Sequence, residues 1–185
     1  RSEVSLPKDQ RKKISLFCNV DIDNVIETVD VKTIYEAPIS FFREKLDKQV
    51  LNYFKIKNKK LANLKPWFKT KNIVLKSKNE LNISVVGKYV DLKDAYKSID
   101  EALVHGGIAN NVRVNLNKID SEKIKSSQIK DKLYNSNGIL IPGGFGKRGT
   151  EGKIQSIKFA RENKIPFFGI CLGMQMAVIE YSRNI

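Results

Sequence analysis

Gly169-Ile170-Cys171-Leu172-Gly173 sets a thiol between two glycines. The apolar run Ile165-Pro166-Phe167-Phe168 precedes it, and a helix-like run from Met174 to Tyr181 follows. Strand, sharp turn, helix is the layout of a nucleophile elbow, with Cys where hydrolases often carry Ser. A nucleophile at such an apex sits in strained backbone and must stand clear of its neighbours, so the flanking residues must be small. The amides after the turn open a helix, where they favour both a thiolate and a developing oxyanion. The plain alternative is a buried Cys packing a strand end, with Gly173 an ordinary helix-start glycine.

A second loop adds chemistry to the first. Pro142-Gly143-Gly144-Phe145-Gly146-Lys147-Arg148-Gly149 follows the apolar Gly138 to Ile141. Glycines this dense after a strand mark backbone that approaches something closely or turns through positive φ. The spacing does not match the phosphate-loop pattern GxxxxGK[ST]. It reads as an oxyanion or ligand-facing loop beside the thiol, or, taken alone, as a glycine-rich turn.

The elements that must position these loops alternate. Strands are predicted at Ile83 to Gly87, Asn111 to Leu116, Gly138 to Ile141 and Ile165 to Phe168. Helices are predicted at Ala95 to His105, ended by Gly106-Gly107, in parts of Ser121 to Tyr134, and at Gly152 to Asn163. Such alternation implies right-handed crossovers and an α/β fold with a mostly parallel sheet flanked by helices. Chemistry in these sheets sits beyond the strand C-termini, so Gly144 and Cys171 are expected along one edge. Earlier in the chain, Ile14 to Val20 reads as a buried strand carrying Cys18 in its core. Asp21 to Ile26 reads as a helical turn, Val31 to Tyr35 as a short strand and Ile39 to Lys55 as a helix. Leu61 to Ile73 has the spacing of an amphipathic helix. Three segments follow: 1–56, a basic linker or helix over 57–80, and 81–185.

Composition bounds the partners. The 185 residues carry a net charge of +14, and from Lys55 to Lys78 there are nine Lys and no acid. No aromatic-interleaved motif, zinc spacing or helix-turn-helix accompanies that charge. A solvated run is therefore favoured over nucleic-acid binding. No apolar run is long enough for a bilayer, so no membrane partner is expected. Two cysteines without CxxC spacing fit a reducing, cytoplasmic setting. The chain opens on Arg1 and closes within a predicted helix, which reads as a stretch of a longer protein.

Three sets of residues carry a resemblance. PGGFGKRGTEGK at 142–153, followed by FGICLGMQMAVIEY at 168–181, is similar to the first half of a class I glutamine amidotransferase domain, the flavodoxin-like triad type. VVGKYVDLKDAYKS at 85–98 narrows the resemblance to the glutaminase domain of the CTP synthases. RKKISLFCNV at 11–20 and VKTIYEAPI at 31–39 resemble the end of their P-loop-type α/β synthase (amidoligase) domain. The resemblance implies synthesis of CTP from UTP, Mg2+-ATP and glutamine-derived ammonia. It also implies GTP as activator and a homotetramer.

Residue by residue, the resemblance implies that Cys171 attacks the glutamine carboxamide to form a thioester. Gly144 and the Leu172 amide would serve the oxyanion, and Leu172, Gly173, Met174 and Gln175 would line the glutamine site. Lys13 matches a lysine that contacts UTP or CTP. Val29, Asp30 and Val31 match the segment that holds the ATP adenine through backbone, with Val29 where many relatives carry Lys. Lys147, Arg148 and Glu151 lie on a loop near the glutamine and GTP sites. No metal ligand is assigned. The triad His and Glu, the P-loop and the magnesium-binding acids are expected outside these residues, so the 185 residues alone are expected to be inactive. His105 is read as a helix-end residue rather than the base for Cys171. The competing readings are a class I glutaminase fused to another synthetase, a thiol hydrolase on the same sheet, and a basic nucleic-acid-binding fragment.

Overall fold

Pro7, with its preset φ, and Asn19, in the left-handed region at φ 50°, bracket the first helix, α1 (Lys8–Cys18). This computed structural model describes residues 1–57, 60–92 and 94–185. The chain divides into two units, Arg1–Lys76 and Ser77–Ile185. Asn58 and Lys59 of the basic run and Lys93 of the 85–98 motif lie outside the described residues.

In the first unit the expected strand over Ile14 to Val20 is the second half of α1. A short apolar run does not separate strand from helix by periodicity, and here the end signals decide it. No residue of α1 is buried, and Ile14, Leu16 and Phe17 are exposed. Cys18 is exposed as well, so the expectation of a core cysteine is corrected. A 3-10 turn covers Ile22–Asn24. The expected strand over Val31 to Tyr35 is also absent. Val29 makes one isolated parallel bridge to Ser2, and a 3-10 turn covers Ile34–Glu36. The Lys32 amide donates to the Glu36 carboxylate, a local bond that competes with a ladder. The helix expected from Ile39 to Lys55 is two, α2 (Ala37–Arg43) and α3 (Leu46–Tyr53), broken where Lys45 turns to φ 61°. The basic helix α4 (Lys65–Lys76) completes the unit, with Lys71 2.6 Å from Glu36. The buried apolar set is small: Val25, Tyr35 and Ile39.

The second unit is the predicted parallel sheet. Strands β1 (Glu80–Gly87), β2 (Arg113–Asp120), β3 (Gly138–Ile141) and β4 (Phe167–Gly169) lie in the order β2-β1-β3-β4. All pairings are parallel, with Glu80 opposite Arg113, Ile83 opposite Gly138 and Ile139 opposite Phe167. The helices are α5 (Lys97–Ala109), α6 (Ile129–Leu133), α7 (Thr150–Glu162) and α8 (Leu172–Asn184). Helix α5 does not stop at Gly106-Gly107. A Cβ on Gly107 would come within 2.6 Å of Val114, so that glycine serves packing on β2 rather than a cap. The core gathers Val86, Ile139, Ile141, Leu133, Ile154 and Met176. Strand β3, between β1 and β4, is buried along its whole length and reads as a continuous apolar segment because a central parallel strand is covered on both faces, whereas β4 is the edge strand and leaves Phe168 exposed.

Candidate active site

Cys171 stands at φ 52° and ψ −109°, in the region that L-residues rarely adopt. It is the residue that precedes α8, directly past the end of β4. Three backbone bonds hold this turn. The Ile170 amide donates to the Ile141 carbonyl (2.9 Å), the Gly173 amide to Ile170 (2.9 Å) and the Gln175 amide to Cys171 (3.2 Å). Strain at a side-chain-bearing residue persists only where its surroundings over-determine it. The glycines supply that condition. A Cβ on Gly173 would lie 2.0 Å from the Ile141 carbonyl oxygen, and one on Gly169 would lie 2.6 Å from the Gly173 backbone. Both contacts are to backbone, which cannot give way as a flexible side chain can. The thiol itself is exposed. The alternative of a buried, packing cysteine is therefore excluded.

The glycine loop lies against this elbow. A Cβ placed on Gly143 would be 3.5 Å from Cβ of Cys171. Gly144 follows at φ 141°, a conformation open to glycine, and a Cβ placed on it would lie 3.7 Å from the Tyr89 ring. Strand β3 ends at Ile141 and β4 at Gly169, so both loops emerge from the same edge of the parallel sheet. Sequence had placed them there. Of the residues expected to line the site, Leu172 and Gly173 are buried and fix the start of α8. Met174 and Gln175 are exposed on its first turn.

Two groups escaped the sequence reading. Lys88, the residue after β1, is 9% exposed, and its Nζ donates to the Phe145 carbonyl (2.5 Å) and the Gly146 carbonyl (3.2 Å). The Tyr96 hydroxyl accepts from the Lys88 amide (3.1 Å) and pins the start of that segment. Lys153 on α7 is fully buried, and its Nζ has no hydrogen-bond partner among the described residues. Burial, and secondarily the Lys88 charge, hold its ammonium below the usual lysine range. The signal that could have found Lys88 was its position straight after a buried strand. Lys153 gave none, because lysine in a helix normally faces water.

His105 is the one histidine of the chain. It lies on α5, which packs on β2 at the far side of the sheet from β4. It is near the helix end that leads back to the strand starts, opposite to the edge that carries Cys171. Arg148 pairs with Glu122 (3.4 Å) and Glu151 with Arg183 (2.9 Å), so these two loop charges have partners on the surface of the same unit.

In the first unit, Val29, Asp30 and Val31 line a hollow of about 650 Å3 together with Arg1, Thr28 and Phe41. Ser2 engages the Thr28 carbonyl and the Asp30 amide (both 3.0 Å). Arg1, to which sequence assigned no role, donates to the Asp30 carboxylate at 2.6 Å and holds it below the usual carboxylate range. Lys13 is exposed on α1. Its neighbour Arg11 is not a solvated charge but a tie, bridging Glu27 (2.9 Å) and Glu44 (2.7 Å).

The chain was compared with known proteins. Residues 91–185 match the family model described as Glutamine amidotransferase class-I, and residues 1–56 match CTP synthase N-terminus. The chain is 72% identical over 184 residues to a CTP synthase of Pelagibacter ubique. It is 55% identical over 185 residues to one of Maridesulfovibrio salexigens and 52% identical over 184 residues to one of Azospirillum brasilense. Each alignment takes in 100% of this chain and 34% of the relative, so the chain spans about a third of their length. Among solved structures it is similar to the Trypanosoma brucei CTPS glutaminase domain with bound acivicin. The TM-score is 0.53 and the identity 42%, covering 57% of this chain and 41% of that one. The fold, the elbow and both family matches agree: the chain belongs to the class-I glutamine amidotransferases and, by its two matched segments together, to the CTP synthase family.

Proposed function

We propose that these residues are part of an enzyme that makes CTP from UTP, ATP and ammonia released from glutamine, with Cys171 as the glutaminase nucleophile. One observation carries the reading. An exposed thiol sits in a strained strand-to-helix turn, with a glycine loop against it and helix amides behind it. In this reading the thiolate attacks the glutamine carboxamide. The oxyanion forms between Gly144 and the Leu172 amide, and loss of ammonia leaves a thioester that water hydrolyses. Met174, Gln175 and the backbone of Gly173 contact the glutamine.

The first unit contributes to the nucleotide sites. The hollow at Val29, Asp30 and Val31 takes the ATP adenine, an assignment supported by its size and by the three residues lying together on its wall. Lys13 meets the pyrimidine nucleotide as a point charge. Among the described residues no group of three or more His, Cys, Asp or Glu could hold a metal ion. GTP activation, a homotetramer and a cytoplasmic location belong to the same proposal. No helix among the described residues is long and apolar enough to cross a membrane. The 185 residues by themselves hydrolyse no glutamine, because their one histidine lies at the wrong edge and the wrong end of the sheet to serve Cys171.

The test uses the complete protein. A glutamine-analogue electrophile is expected to label Cys171, read by peptide mass. Cys171→Ser is expected to abolish glutamine-dependent CTP formation while leaving ammonia-dependent formation intact. Glutamine-dependent activity surviving in that variant overturns the assignment.

A further inference from the structure

The strand order β2-β1-β3-β4 puts the switch in winding direction between β1 and β3. In such sheets the crevice beyond those two strand ends is where ligands and chemistry gather. Lys88 stands at the end of β1 and reaches across to the loop after β3. The residue is 9% exposed, and its ammonium takes the Phe145 and Gly146 carbonyls, the two carbonyls that follow Gly144. A trans peptide points its N–H away from its C=O, so gathering these carbonyls on Lys88 turns the Gly146 and Lys147 amides away from it. The loop's own restraints are otherwise few: Phe145 to Arg148 are exposed, and Gly144, Gly146 and Gly149 all have positive φ. Without a tie, a run so rich in glycine would sample many conformations.

We propose that Lys88 is a positioning residue for glutamine hydrolysis: by clasping the Phe145 and Gly146 carbonyls it holds Gly143 and Gly144 against Cys171. This rests on the glutaminase reading above. Lys88 touches no substrate. It fixes the geometry in which the oxyanion is met, and a loop displaced by an ångström forfeits much of that stabilisation.

The test compares two reactions of one thiol in the complete protein. Glutamine hydrolysis needs the loop, whereas alkylation of Cys171 by iodoacetamide develops no oxyanion and does not. Lys88→Met is expected to lower kcat for glutamine about 10–100-fold, with KM within about threefold and the alkylation rate within about twofold. Lys88→Arg, whose planar fork can still bridge two carbonyls, is expected to recover about a third or more of the activity. A Lys88→Met enzyme with kcat within about twofold of the parent overturns the proposal. So does a parallel fall in alkylation, which would mean that the elbow itself had collapsed. Should Lys88→Met not fold, Lys88→Gln, with one donor group left, takes its place under the same two criteria. Failure of the glutaminase reading shows separately, as glutamine hydrolysis that survives Cys171→Ser.

Discussion

The two units hold themselves together by different means. In Ser77–Ile185 a parallel sheet buries Val85, Val86, Ile139 and Ile141 almost completely, and the helices close on it. In Arg1–Lys76, among the described residues, only Val25, Tyr35 and Ile39 are buried apolar residues. None of α1, α3 and α4 has a buried residue. There the ties are ionic: Arg11 to Glu27 and Glu44, Lys71 to Glu36, Arg1 to Asp30. The difference bears on chemistry. A strained elbow and a glycine loop need a rigid core beneath them, and the second unit has one. The first unit offers an open hollow and exposed cations in its place.

The sharpest way to break this contrast is at the elbow. Gly173→Ala would put a Cβ 2.0 Å from the Ile141 carbonyl oxygen, backbone against backbone. Helix propensity favours Ala over Gly by about 1 kcal/mol, but overpacking outweighs it. The expected net loss is about 2–3 kcal/mol in the second unit, with the Cys171 alkylation rate changed and the first unit's protection in hydrogen exchange unaltered. Equal loss in both units would show that they unfold as one and would dissolve the comparison.

Lys153→Met tests the other side of the same core. Removing a buried ammonium that has no acceptor among the described residues is expected to stabilise the second unit by on the order of 2 kcal/mol. The pH dependence follows from the depressed pKa. The unfolded chain binds the Lys153 proton more tightly than the fold does, so the unfolding free energy rises with pH. The rise lies between the lowered folded value and the ordinary lysine value of 10.5. Denaturant midpoints of the second unit measured from neutral to alkaline pH should show that upward slope in the parent and lack it in Lys153→Met.

The same contrast explains what could be read from sequence. The strands β1 and β3 and the turns after β3 and β4 were legible because a buried parallel strand writes a continuous apolar run, and an elbow requires small neighbours. The 14–20 run ISLFCNV looked the same and was not a strand. Its apolar residues are exposed rather than part of a buried core, so hydrophobicity carried little information about conformation, while Pro7 and Asn19 did. The break at Lys45 and the tie at Arg11 were invisible, because a single positive φ and a long-range ion pair leave no local pattern. Lys88 and Lys153 were missed for a related reason. In a chain of 34 Lys and Arg, nothing local marks Lys153 as buried, and Lys88 is marked only by its place straight after a buried strand.

Arg11→Met is expected to lower the melting midpoint of the first unit by about 2–5 °C and to leave the second unchanged. Arg11→Lys should restore part of the loss, since an ammonium meets one carboxylate well and two poorly.

The smallest expected effect is an acid limb confined to the first unit. Glu27 is held below the usual carboxylate range, first by the backbone amide of Leu6 and then by Arg11 and Ser5. A depressed folded value means that the unfolded chain binds the proton more readily. The stabilisation is therefore present above the ordinary glutamate value of 4.5 and is lost as pH falls through the lower folded value. The single tryptophan, Trp67, sits on α4 in the first unit, so its fluorescence reports that unit alone. A Trp67 transition that weakens below pH 4.5, alongside hydrogen exchange in β1 and β3 that does not, would confirm that ions hold one unit and a core the other. Glu27→Gln should flatten the acid limb while keeping an acceptor for the Leu6 amide. If the limb persists unchanged in that variant, Glu27 is not its source, and Glu36 beside Lys71 becomes the carboxylate to test.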